Sequence, residues 1–175
     1  IFTVIDNPVQ IKEEENLPDL VIKNSNINFK SVNFKYEKTE EKAIKDINLS
    51  IDGGSMVAFV GHSGAGKSTI INLLPRFYDP QDGSIFIDDQ DIKKVKLSSV
   101  RKNISLVSQD IVLFDDTIKA NVAYANENAS EEEIHEACKF AAADEFINKL
   151  PNKYDTLIGE NGVRLSGGQK QRISI

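Results

Sequence analysis

Met56-Val57-Ala58-Phe59-Val60 is an unbroken apolar run, and Gly61-His62-Ser63-Gly64-Ala65-Gly66-Lys67-Ser68 stands directly behind it. After Lys67 the apolar residues Ile70, Ile71, Leu73, Leu74 and Phe77 recur at helical spacing. The order is therefore buried strand, glycine-rich loop, helix, which is the context the pattern G-x-x-x-x-G-K-[ST] requires. Glycines let the backbone curl until successive N–H groups face one centre. A helix N-terminus adds partial positive charge at the same point. Lys67 is placed to reach the terminal phosphates of a nucleotide and Ser68 to ligate Mg²⁺. A chain built around this unit is expected to be α/β with a central sheet.

The rest of the chain fits that expectation. Phe29, Val32, Phe34 and Tyr36 predict a strand, followed by a polar turn over 37–42. Ile47, Leu49 and Ile51 alternate with polar residues and predict a second, half-buried strand. Asp82-Gly83 reads as a turn, and Ile85–Ile87 and Ile104–Val107 as further strands. Ser130 with Glu133 three residues later has the form of a capping box. The helix it opens carries Ile134, Ala137, Cys138 and Ala141 on one stripe. Another helix is predicted over Glu145–Leu150, ending at Pro151. Residues 1–28, with Pro8, Pro18 and the run Glu13-Glu14-Glu15, show no sustained period and read as a connector.

Composition narrows the function classes. The 175 residues carry a net charge of −6, which argues against a domain built to grip a nucleic-acid backbone. One cysteine, Cys138, allows no internal disulfide. Apolar runs of about five residues are far short of the roughly twenty a membrane helix needs. His62 occupies a variable loop position and is assigned no catalytic role, and His135 and Cys138 are read as ordinary helix residues. The first residue is Ile, the only Met is Met56, and the amphipathic pattern runs on through Ile173-Ser174-Ile175. The chain is expected to be a fragment open at both ends.

A second motif, Leu165-Ser166-Gly167-Gly168-Gln169, has its Ser166 99 residues after Lys67. Ser166 can cap a helix with Gln169 as its capping-box partner, and Gly167 and Gly168 leave the helix start bare for a phosphate. With Gly61–Ser68 as the Walker A and Leu165–Gln169 as the signature, the chain resembles the nucleotide-binding domain of ABC transporters over essentially its whole length.

That resemblance implies a P-loop NTPase-type ABC ATPase fold with an N-terminal antiparallel β subdomain and a helical subdomain. It implies residues 1–28 as the connector from a transmembrane domain and 29–175 as a partial nucleotide-binding domain. The family's Mg²⁺-binding Asp, catalytic Glu and switch His follow the signature helix, so the C-terminal part of the core sheet would be missing and this segment alone inactive. Its P-loop strand would then lack close parallel neighbours.

Tyr36, 25 residues before Gly61, matches the aromatic that stacks on adenine. Gln109 matches the Q-loop glutamine, a ligand of Mg²⁺ and of the attacking water. Gly61, Ser63, Gly64, Ala65, Gly66, Lys67, Ser68 and Thr69 would hold ATP on one face. Leu165, Ser166, Gly167, Gly168 and Gln169 would close on it from a second, head-to-tail nucleotide-binding domain. Ser68 and Gln109 would ligate the metal. Asp155–Gly162, with Glu160 as its acid, is similar to the exporter X-loop, departing from it at Leu157, Ile158 and Asn161. The implied function is ATP-driven export of the lipid or multidrug kind at the cytoplasmic face of a membrane. A non-transport ATPase of the same class, in DNA maintenance or translation, is the second reading, and a nucleotide-binding module without catalysis the third.

Overall fold

The computed structural model describes residues 11–37, 39–108, 110–126 and 128–175, and the chain divides into two compact units, Ile1–Ser105 and Leu106–Ile175.

In the first unit, β1 (Ile27–Phe34), β2 (Ile44–Ile51), β3 (Asp82–Ile87) and β4 (Gln90–Asp91) form an antiparallel sheet in the order β2-β1-β3-β4. β1 is central and buries Phe29, Val32 and Phe34. These side chains meet Ile44 of β2, Ile85 and Ile87 of β3, and Leu73 of helix α1 (Lys67–Leu73) in one apolar core. Helix α2 (Leu97–Lys102) adds Val100 to the same core.

Several expectations are corrected here. Met56–Val60 is irregular, with Met56 fully exposed and Val60 at 90%, and Ile104–Val107 is irregular too. A strand exists only as part of a ladder, and among the described residues none pairs with either run. Asp82-Gly83 is the start of β3 and no turn. Gly83 is required there because β1 bulges at Ser31: a Cβ on Gly83, whose φ is +80°, would lie 2.4 Å from the carbonyls of Lys30 and Ser31. The turn falls one strand later, at Asp88-Asp89, where both residues have positive φ and Ile87 pairs with Gln90. α1 stops at Leu73 and does not reach Phe77: Leu74 keeps helical φ/ψ (−62°, −51°), but Pro75 has no backbone N–H with which to continue the ladder.

The carboxylate of Asp88 accepts backbone N–H bonds from Lys23 (2.6 Å), Asn24 (2.9 Å), Ser25 (3.1 Å) and Asn26 (2.9 Å). Its pKa is lowered to about 2, first by the Lys23 bond. The Gln90 amide brackets Val21 by accepting from its N–H (3.1 Å) and donating to its carbonyl (2.7 Å). Residues 18–26 thus run strapped along the β3–β4 hairpin, with Leu20 buried beneath them.

The second unit is helical: α3 (Ile118–Val122), α4 (Glu131–Phe140), α5 (Asp144–Ile147) and α6 (Gly167–Ser174). Its core gathers Leu113, Ile118, Ile134, Cys138, Phe146, Ile147, Ile158, Leu165 and Ile173. α4 begins at the Ser130–Glu133 capping box, with both reciprocal bonds made. The predicted helix at 145–150 is α5, which begins one residue earlier and gives way to turns after Ile147. Asn121 brackets Phe114 as Gln90 brackets Val21, accepting from its N–H (2.8 Å) and donating to its carbonyl (3.1 Å). No helix among the described residues is long and apolar enough to cross a membrane.

Candidate functional site

The Gly61–Ser68 loop is exposed as far as Ala65 and leads into α1. Gly66 caps α1 with φ +84°, a left-handed conformation that costs any other residue strain. A Cβ there would also lie 2.6 Å from the Ala43 carbonyl and 2.9 Å from Ile44 Cδ1, so the loop is pressed onto the start of β2. Lys67 Nζ donates to the carbonyls of Gly61 (2.9 Å) and His62 (2.8 Å). The ammonium is therefore centred over the loop it belongs to, where a phosphate would meet it. Ser63 and Gly64 are exposed on the rim, and Ser68 is exposed on the first turn of α1. Thr69, beside it, is buried.

Tyr36 lies two residues beyond β1 and is half-buried. Its hydroxyl is 3.1 Å from Thr69 Oγ1. Its ring meets Phe34 (4.8 Å) and Tyr78 (5.2 Å) edge-to-face. A cavity of about 290 Å³ opens beside it, lined among others by Phe34, Tyr36, Tyr78, Asp79 and Gln81. Asp79 in that wall is gripped by two bonds from the buried Arg76 guanidinium (3.0 and 3.1 Å), which also donates to the Ile92 carbonyl (3.1 Å). The folding pattern of residues 27–36 and 67–73 thus brings Tyr36, Thr69 and Lys67 into one unit. The part played by Gln81 has no local sequence signal, because its partners are 46 residues away.

In the second unit, Ser166 N-caps α6. Its N–H donates to Gln169 Oε1 (2.8 Å) and its Oγ accepts from the Gln169 N–H (3.4 Å). Acting as acceptor in the cap leaves the hydroxyl proton available to a ligand. Leu165 and Ile173 anchor the helix in the core, while Gly167 and Gly168 stay exposed, with nothing within 4 Å of an added Cβ. A cavity of about 430 Å³ runs beside this end, lined by Asp110, Ile111, Gly167, Lys170 and Gln171. Gln109 lies outside the described residues. Glu160 is exposed in a 3₁₀ turn, Glu160–Gly162. Among the described residues, no three His, Cys, Asp or Glu side chains are grouped to hold a metal ion. Cys138 is buried in the helical core, and desolvation pushes its thiol up to about 11, in keeping with an inert packing residue.

Comparison with known proteins gives consistent results. The ABC transporter family matches residues 44–175. Proteins of Staphylococcus aureus, strains NCTC 8325 and COL among them, described as multidrug export ATP-binding/permease proteins, are 50% identical over all 175 residues. The chain spans 30% of their length. A bacterial Atm1-family ABC exporter, solved with ATP bound, superposes with a TM-score of 0.93 at 45% identity, over 99% of this chain and 30% of that one.

Proposed function

Since the chain belongs to the ABC transporter family, we propose that it is the ATP-binding motor segment of an exporter, in which ATP binding and hydrolysis drive transport across a membrane. The observation that carries this is the Lys67 ammonium centred on the Gly61 and His62 carbonyls, at the head of a helix whose first turn is tied to Tyr36. A lysine that is the loop's only cationic side chain is suited to charge-assisted phosphate bonds. Tyr36 is the platform for the base, and Gly61–Thr69 hold the phosphates. Leu165–Gln169 close on the γ-phosphate of a nucleotide held by a second such domain.

Mg²⁺ fits the donor set, since it keeps water and phosphate oxygens and takes few protein ligands. The exposed Ser68 hydroxyl would hold it, and the ion would offset phosphate charge. Residues 1–28 are read as the connector to a transmembrane domain and 29–175 as the nucleotide-binding part. Bonds from Asp88 and Gln90 to the 21–26 backbone support a mechanical link at that end. On this reading the segment works at the cytoplasmic face of a bacterial membrane.

The test is the full-length protein in inverted vesicles with Mg-ATP, following phosphate release and accumulation of a drug-like dye. Both are expected, and both are expected to vanish in Lys67→Ala. Absence of nucleotide-dependent phosphate release overturns the reading. Hydrolysis without accumulation of any dye or lipid probe favours the non-transport ATPase class.

A further inference from the structure

β1 pairs with β3 by backbone as far as Asn33 opposite Asp82, and the Gln81 N–H donates to the Asn33 carbonyl at 3.0 Å. Beyond that point the backbones part, but the ladder continues through a side chain. The Gln81 Oε1 accepts from the Lys35 N–H at 2.7 Å, and its Nε2 donates to the Lys35 carbonyl at 2.9 Å. One amide thus does for Lys35 what a strand neighbour would do, satisfying both backbone groups of the residue before Tyr36. On the other side, the Tyr36 carbonyl accepts from the Thr39 N–H (3.1 Å) and hydroxyl (3.0 Å). Tyr36 is therefore held fore and aft by its backbone, while its ring lies against Phe34 and Tyr78.

From this geometry we infer that Gln81 is a positioning residue for nucleotide binding: it fixes the backbone that presents the Tyr36 ring to the base. The inference rests on the reading of Tyr36 as the base platform and adds to it the residue that sets the platform's place. A stacked ring is effective only if it is already where the base will lie, because ordering it on binding detracts from affinity. Gln81 is exposed and outside the apolar core, so its replacement leaves the core packing intact. Its effect is specific to the base, since Lys67 and the loop do not bond to it.

The experiment uses the full-length protein, with Mg-ATP and Mg-tripolyphosphate as calorimetric probes, the second having phosphates and no base. Gln81→Leu is expected to weaken ATP about three- to tenfold, less than removal of the ring, and to leave tripolyphosphate within about twofold. In a Tyr36→Ala background the same substitution is expected to have no further effect on ATP. Equal weakening of both probes overturns the inference by showing general damage to the loop. Full additivity with Tyr36→Ala overturns it too, by making Gln81 an independent contact. Unchanged ATP affinity in Gln81→Leu, with a clear loss in Tyr36→Ala, overturns the inference and leaves the base platform standing. Unchanged ATP affinity in Tyr36→Ala removes the platform itself and the inference with it.

Discussion

The Tyr36 hydroxyl and Thr69 Oγ1 lie 3.1 Å apart, joining the segment after β1 to the helix that opens at Lys67. Thr69 is buried, so the bond sits against the core. The residue read as the base platform and the helix read as the phosphate holder are therefore one mechanical piece.

Tyr36→Ala is expected to weaken ATP binding roughly five- to hundredfold, the range that base–aromatic stacking supplies. Tyr36→Phe keeps the ring and loses the Thr69 bond, so it is expected within about threefold of the parent. Titration of the full-length protein with ATP measures both. Equal affinities for Tyr36→Ala and the parent would return Tyr36 to the core.

Lys67→Ala removes the cation held by Gly61 and His62. ATP affinity or turnover is expected to fall at least about tenfold, since charge-assisted phosphate bonds are the strong ones. Near-normal ATPase in the purified variant would contradict the assignment of the loop.

Gly66→Ala meets two obstacles at once, a left-handed φ and the Ala43 carbonyl 2.6 Å from the new Cβ. A cost of about 1–3 kcal/mol in stability is expected from the backbone alone. Displacement of the loop should also lower ATP affinity about tenfold or more. Thermal melting and nucleotide titration of the same sample separate the two effects.

The Asp88 carboxylate has a pKa lowered from 3.8 to about 2 by backbone N–H bonds, that of Lys23 first. A carboxylate with a depressed folded pKa contributes stability that is present above its unfolded value. That contribution is lost as pH falls from about 4 through about 2. Acid titration followed by melting should show it, and Asp88→Asn should flatten this part of the curve. An Asp88→Asn variant with the parent's acid profile would refute the strap's dependence on this charge.

Cys138, with its thiol raised to about 11 by desolvation, is expected to stay unmodified by a thiol reagent at pH 8 while the protein is folded. It should react at once in denaturant. Rapid labelling of the native protein would show that the helical core opens locally.

What was legible in the sequence was local. The capping boxes at Ser130–Glu133 and Ser166–Gln169 span four residues each, and both form as read. The loop of Gly61–Ser68 is a contiguous pattern, and its glycines take the positive φ values that the pattern demands. The failures were of two kinds. The apolar content of Met56–Val60 predicts a strand, but strand structure belongs to a ladder, and no local property supplies the neighbour. Asp82-Gly83 predicts a turn because glycine usually marks one; in the structure Gly83 answers a bulge in β1, more than fifty residues earlier. Gln81 and Asp88 went unread because the partners that define them lie 46 and 62–65 residues away.

Gln81 on Lys35, Gln90 on Val21 and Asn121 on Phe114 share one form: a neutral amide takes both backbone groups of a residue in another segment, 46, 69 and 7 positions away. None of the three involves a net charge. Dissolved ions that weaken surface pairs such as Lys42–Asp82 and Lys96–Asp19 have no such hold on them. Protons at ordinary acidity leave them alone as well, because amides do not titrate there. The segments around Val21, Lys35 and Phe114 are thus fastened by clasps that stay shut as the salt content of the surroundings rises and falls.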